Sequence, residues 1–193
     1  MIPRPAIGKI TSKSALRNGK SMFTIRHVTS NDLDKIYALY KKVATETTGL
    51  ARSGDEIIVD YVQNFMENSL HTGIELVDDN PANSNQIIAE IHCYKLVPRT
   101  FSHVLSELTI AVDPDHQGQG IGRMIFTHLL DFITNSRPDV LRVELISREF
   151  NLKAISFYES LGFKREGRFE KRIRSNENEF EADIPMAWQR STV

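Results

Sequence analysis

The segment Glu107–Leu130, "ELTIAVDPDHQGQGIGRMIFTHLL", decides the fold class. A β-branched and apolar run ends at Val112, and an Asp-Pro pair follows at Asp113 and Pro114. Glycines then occupy positions 118, 120 and 122, and an amphipathic run begins. The pattern predicts a strand, a turn poor in side chains, and a helix start. Such a junction carries unpaired backbone N–H groups and the positive end of a helix dipole. A phosphate or pyrophosphate is the natural guest. The spacing excludes a P-loop, which needs a Gly-Lys-Ser/Thr step, and no lysine stands here. A dinucleotide fingerprint needs G-x-G-x-x-G, whereas this loop reads G-x-G-x-G. Glu149, past the next strand, stands where a ribose-binding acid would lie, which keeps that alternative open.

On the N-terminal side of this segment the apolar period changes from helical to alternating. "TSNDLDKIYALYKKVATE" predicts a helix, with Ser30 as N-cap and Leu33, Ile36, Tyr37, Tyr40, Val43 and Ala44 as its buried stripe. A second helix follows a polar loop, with Ile58, Tyr61, Val62, Phe65 and Met66 facing inward. After Gly73, "GIELV", "QIIAEIHCYKL" and "VLSELTIAV" read as three antiparallel strands. In the second of these, Ile87, Ala89, Ile91 and Cys93 are expected on one face, and Ile88, Glu90, His92 and Tyr94 on the other.

On the C-terminal side, "LRVELI" is a strand reached by a helical crossover, and so parallel to the strand ending at Val112. "NLKAISFYESLGF" is a helix closed by Gly162. "KREGRFEKRIR" and "FEADIPMAW" form a closing hairpin, with Pro185 implying a bulge or an edge. Residues 1–22 hold five basic residues and no acid; Asn18-Gly19 marks a hairpin turn there. The expected architecture is one mixed α/β (α+β) domain over residues 23–190, after this basic extension.

Bulk properties are those of a globular chain of 193 residues, with 40% hydrophobic and 25% charged residues. A net charge of −1 gives no global attraction to nucleic acid or anionic membrane. Cys93 is the single cysteine, so no internal disulfide forms, and a reducing cytoplasm is the expected location. Its place among apolar strand residues marks it as core, not nucleophile. No run is long and apolar enough to span a bilayer, and no export signal is read. The six histidines lack metal-ligand spacing, so no metal is expected.

Gln117, Gly120 and Gly122 form Q-x-x-G-x-G. With the strand and Asp-Pro turn before it, this resembles the pyrophosphate-binding signature of the GNAT superfamily of acyl-CoA-dependent N-acyltransferases. Asn151, Ala154, Tyr158 and the Gly162-Phe163 end resemble the next signature of that family. The order of elements matches from about Phe23 to Trp188. The resemblance implies a mostly antiparallel sheet flanked by helices, with a splayed central parallel strand pair. It implies an acetyl-CoA-dependent N-acetyltransferase acting on a primary amine by direct attack in a ternary complex. The backbone of Ile110, Ala111 and Val112 would pair with the pantetheine arm. Gln117, Gly118, Gln119, Gly120, Ile121, Gly122 and Arg123 would cradle the pyrophosphate, with Asn151 and Ala154 contributing from the following helix. Tyr158 would protonate the departing thiolate.

Glu107 is the candidate base, because an acceptor amine is protonated at neutral pH and attacks only when neutral. Glu90 with His92 is the second candidate, set against a solvated strand face. Two functions of other classes stay open: a CoA-binding module without transfer, and an RNA- or ribosome-associated protein using the basic segments. Nucleic acid is not the expected partner. Assembly through the last strands is common in the superfamily, which allows a homodimer. The acceptor is unassigned: Glu46, Asp55, Glu56, Glu179 and Glu181 suit a cation, and Arg52 an acid.

Overall fold

The computed structural model describes residues 12–14, 23–47, 49–80, 83, 85–175 and 179–191. In chain order the strands are β1 (Ser12–Ser14), β2 (Phe23–His27), β3 (Ile74–Asp79), β4 (Ile87–Tyr94), β5 (Val104–Val112), β6 (Arg142–Arg148), β7 (Lys164–Arg165), β8 (Phe169–Arg174) and β9 (Phe180–Gln189). The helices are α1 (Leu33–Glu46), α2 (Val59–Thr72), α3 (Ile121–Ser136) and α4 (Leu152–Ser160). Among the described residues the strands form one sheet in the order β1-β2-β3-β4-β5-β6-β9-β7, with β8 also on β9. Only β5 and β6 run parallel. β1 pairs with β2 antiparallel, and the Asn18-Gly19 turn lies outside the described residues.

Two apolar clusters sandwich the sheet. Helices α1 and α2 pack Ile36, Leu39, Tyr40, Val43, Val62, Phe65 and Met66 against one face. Helices α3 and α4 bring Ile121, Ile125, Phe126, Leu129, Ile133 and Ile155 to the other. α1 starts two residues later than Ser30 predicts. Thr29 caps a short 3-10 turn, and Asp32 turns back to accept from the Thr29 N–H at 2.8 Å. The Arg26 guanidinium holds the same carboxylate at 2.8 Å through two nitrogens. Just before α2 the inward residue is Ile57, fully buried, while Ile58, expected inside, is the exposed N-cap.

Strict alternation along β4 fails at one place. The register slips between Asp78 and Asp79, so that Asp78 faces Ala89 and Asp79 faces Ile87. A bulge inserts one residue and exchanges faces beyond it. Ile88 therefore joins Ala89, Ile91 and Cys93 toward α3, and Ile87 joins the α1–α2 cluster. Pro185 is neither at an edge nor in a bulge of its own strand, since β9 pairs with β6 along its length. Instead the outer neighbour breaks there: β7 ends at Arg165, β8 begins at Phe169, and the Glu166 N–H reaches the Pro185 carbonyl at 2.9 Å. The missing N–H of the proline falls in that gap.

The α1–α2 face also buries acids. Glu75 is 2% exposed with no hydrogen bond to either carboxylate oxygen. Burial and the neighbouring Glu90 carboxyl raise its pKa far above the ordinary carboxylate range, so it is held neutral. The folded state thus binds a proton that the unfolded chain has released above about pH 4.5. The stability this group contributes is complete below that pH and is lost as pH rises, by at most about 1.4 kcal/mol per unit. Glu75→Gln should melt above the wild type at pH 8, and by a smaller margin at pH 5. Thermal melting at the two pH values checks this; a margin independent of pH would show that Glu75 is not held protonated.

Candidate active site

The loop between β5 and α3 is built by two local rules. Asp113 accepts from the Asp115 N–H at 2.9 Å, capping a 3-10 turn that has Pro114 in its first position. Gly118 and Gly120 then take φ of 76° and 83°, left-handed values that cost other residues about 1–2 kcal/mol. A Cβ on either would meet nothing within 4 Å, so the space in front of the loop is open. Gly122 serves a different purpose: a Cβ there would lie 3.5 Å from Val112 Cγ2, where α3 rests on the end of β5.

Helical bonding begins with the Met124 N–H on the Gly120 carbonyl at 3.0 Å. The N–H groups of Gly118, Gln119, Gly120, Ile121, Gly122 and Arg123 find no backbone acceptor among the described residues. Six donors at the start of a 16-residue helix make an anion cradle. The side chains around it stiffen the loop: Gln117 Nε2 donates to the Val112 carbonyl at 3.2 Å, and Gln119 Nε2 to the Asp115 carbonyl at 3.4 Å. Arg123 turns to α4, donating to Ser160 Oγ at 2.8 Å with its guanidinium over the Phe157 ring.

Beside the cradle the sheet opens. β5 and β6 are paired only at Val104 with Arg142 and Leu105 with Val143. On its other side β5 stays paired with β4 as far as Val112 with Ala89. The Asp113 N–H donates to the Ile88 carbonyl at 2.8 Å, so strand alternation directs Ala111 to β4. Ile110 and Val112 therefore turn their N–H and carbonyl groups to the open edge. An extended polar chain could add there as a strand.

A cleft of about 460 Å³ lies where the strands part, lined by Ser106, Glu107, Thr109, Glu144, Ile146 and Phe169 among others. Glu107 has φ of 56°, and the β4–β5 register shifts between His92 and Tyr94 as the chain passes it. This bulge places an exposed carboxylate in the cleft, with no hydrogen-bond or ion-pair partner among the described residues. The cleft also holds charges not foreseen from the sequence. Arg142 Nε donates to Glu144 at 2.5 Å, its terminal nitrogens hold Glu166, and Ser106 Oγ reaches Glu144 at 3.3 Å. The alternation of Arg142, Glu144 and Ile146 with buried Val143 and Leu145 was the available signal.

Tyr158 lies on α4 against Phe126, Phe157 and Phe163, and burial pushes its pKa up to about 12. Its hydroxyl is protonated at any physiological pH. No hydrogen bond or ring contact joins it to Glu107; the first belongs to the α3–α4 side and the second to the cleft. Asn151 caps α4, its side chain accepting from the Ala154 N–H at 3.1 Å.

Glu90 and His92 are not on a solvated face; both are buried, at 0% and 2% exposure. Tyr40 OH donates to Glu90 Oε2 at 2.6 Å, and His92 Nδ1 lies 3.1 Å from Glu90 Oε1. The Phe65 ring stacks on His92 at 4.1 Å. Burial raises the Glu90 pKa and lowers that of His92 to about 3, so both are neutral. Cys93 is fully buried, its pKa raised to about 12, as a core thiol requires. Glu149 is taken by Arg168 through contacts of 2.6 and 2.7 Å, which removes it as a free ribose ligand. Arg52 stacks over Tyr61 at 4.2 Å. Among the described residues no three His, Cys, Asp or Glu side chains group to hold a metal, and no helix is long and apolar enough to cross a membrane.

Residues 76–165, which contain the cradle, β5, β6 and α4, match the family model described as acetyltransferase (GNAT) domain. Over that segment the chain is similar to the GNAT superfamily. It is similar to the "[Ribosomal protein bS18]-alanine N-acetyltransferase" of Escherichia coli K12, with 48% identity over 63 residues. That stretch is 31% of this chain, and the chain spans 41% of the length of that relative. A GNAT-family acetyltransferase structure from Streptococcus pneumoniae superposes with a TM-score of 0.76 at 19% identity, covering 87% of this chain and 99% of that one. A GNAT superfamily phosphinothricin acetyltransferase from Sinorhizobium meliloti, solved in complex with acetyl-CoA, gives 0.68 at 15% identity, over 86% and 88%.

In this GNAT fold the backbone at Glu107 is strained, and asparagine tolerates its conformation better than glutamate does. Glu107→Asn should melt no lower than the wild type. A fall of more than about 1 kcal/mol would show that the glutamate side chain itself stabilises the bulge.

Proposed function

We propose that the protein transfers an acetyl group from acetyl-CoA to a primary amine, by direct attack with both substrates bound. The observation that carries this reading is the union of six unpaired N–H groups at the head of α3 with the open edge of β5. The cradle suits a pyrophosphate, and the edge groups of Ile110 and Val112 suit an amide-containing arm, whose own polar groups would otherwise be buried unpaired. Acetyl-CoA supplies the activated thioester. Gly118 to Arg123 hold the anionic end through backbone donors, and the glycines keep that approach free of side chains.

Glu107 takes the proton from the acceptor ammonium, directly or through one water. It suits this task because no partner among the described residues competes for its carboxylate. Glu144 is instead engaged by Arg142 Nε and Ser106 Oγ. The buried Glu90–His92 pair is held neutral and surrounds the base instead of replacing it. Tyr158 OH, protonated and without a hydrogen bond among the described residues, gives its proton to the departing sulfur. For the acceptor, the relative that acts on an alanine of a ribosomal protein supports a peptide amine. The setting is the reducing cytoplasm, where a lone buried Cys93 is stable as a thiol.

Acetyl-CoA at about 100 times its dissociation constant should stabilise the wild type by roughly 2.7 kcal/mol in thermal melting. Gly120→Asp, which puts a carboxylate into the cradle, should abolish that shift, and NAD should give none. No shift with acetyl-CoA would overturn the transferase reading. With a panel of peptide amines and thiol release as readout, Tyr158→Phe and Glu107→Gln should each lower kcat by about 10²–10⁴. If Glu144→Gln lowers kcat by that factor and Glu107→Gln does not, the base is Glu144.

A further inference from the structure

The cradle is made of backbone, and half of its residues up to Gly122 lack a side chain with which to hold themselves in place. Its position therefore depends on what anchors the chain just before it. That anchor is Asp113, 1% exposed at the end of β5. Its carboxylate accepts from the Asp115 N–H at 2.9 Å, from Gln86 Nε2 at 3.0 Å and from Lys42 Nζ at 2.8 Å. Lys42 projects from α1, 71 residues earlier in the chain, and its ammonium also holds Asp115 Oδ2 at 2.6 Å. One side chain thus grips the cap and the middle of the turn that precedes the six donors. The neighbouring lysine of α1 grips the other way: Lys41 Nζ donates to the carbonyls of Gly54 at 2.6 Å and Ile57 at 3.2 Å in the loop before α2.

We infer that Lys42 is a positioning residue for the cofactor cradle, resting on the transferase reading above. Two physical effects act together. By fixing Asp113 and Asp115 it pre-organises the loop, so that less ordering is left for the moment of binding. By offsetting one of two carboxylate charges it weakens their repulsion of a polyanion bound at the following loop. Lys42 itself does not point into the cradle and is not a phosphate ligand. Its ammonium is held by the two aspartates, which also keep its pKa above the ordinary lysine value.

The test is calorimetric titration of the whole protein with acetyl-CoA, well below the melting temperature. Lys42→Met should raise Kd at least tenfold, Lys42→Arg should recover most of the loss, and the loss should shrink as salt rises. Hydrogen exchange at Gly118 to Arg123 should quicken in Lys42→Met without ligand. Should Lys42→Met fail to fold, Lys42→Gln keeps a hydrogen-bond donor on α1 while removing the charge, and should raise Kd about threefold. A Kd within twofold of wild type in both variants overturns the positioning role, whatever the melting temperatures do. Wild-type protein that does not bind acetyl-CoA overturns the transferase reading itself, and the positioning role with it.

Discussion

The parting of β5 from β6 is the constraint on which the rest of the structure depends. A sheet normally satisfies every backbone group of its central strands, and leaving such groups unpaired in the interior is costly. Here the parallel ladder lasts two residue pairs and stops. Each strand is then committed elsewhere: β5 to β4, and β6 to β9 over seven consecutive pairs. These ladders occupy the outer edges of β5 and β6 and leave the two facing inner edges unpaired beyond Leu105 and Val143. α3 packs across the divide, its Ile125 and Phe126 sharing one cluster with Leu105, Val143 and Met186. Groups that would destabilise a closed core become available to a ligand chain.

The second feature is the number of neutralised acids under α1 and α2. Tyr40, Glu90 and His92 satisfy one another, whereas Glu75 satisfies no one. Across the β3–β4 ladder Glu75 faces His92, so these groups occupy one strip of the sheet leading toward β5. Burial at this depth keeps carboxyls protonated and an imidazole uncharged. A strip without charge leaves Glu107 as the carboxylate that sets the field at the end of β5. His92, Tyr61 and Tyr94 all lie close enough to feel it.

How much of this was legible in the sequence follows from the range of each interaction. Helices and strands appeared because their apolar periods are local, and the cradle appeared because glycine spacing reports backbone geometry directly. What escaped notice depended on partners far along the chain. The bulge that exchanges Ile87 and Ile88 is set by β3, and nothing in "QIIAEIHCYKL" reveals it. Alternation placed Glu90 and His92 on one face correctly, yet α1 and α2 decide that this face is buried. Lys42 looks like any solvated helix lysine until Asp113 is brought to it from 71 residues away. Pro185 announced an interruption, but it fell in the neighbouring chain at Glu166 and not in β9.

The basic run that left a nucleic-acid reading open is largely paired with acids of the fold. In the run from Lys164 to Arg174, Arg165 pairs with Glu159, Arg168 with Glu149 and Glu170, and Arg172 with Asp183. Arg174 lies over the Phe180 ring. Exposed pairs of this kind add little stability, but they do consume positive field. Arg142 is likewise consumed, by Glu144 and Glu166. Against this background Glu107 stands out. It keeps a left-handed backbone that glutamate resists, and no partner among the described residues rewards its charge. A residue that breaks a local rule without a compensating contact is retained for something other than stability. In a cleft at the mouth of an open sheet, the task available to it is to meet a cation or take a proton.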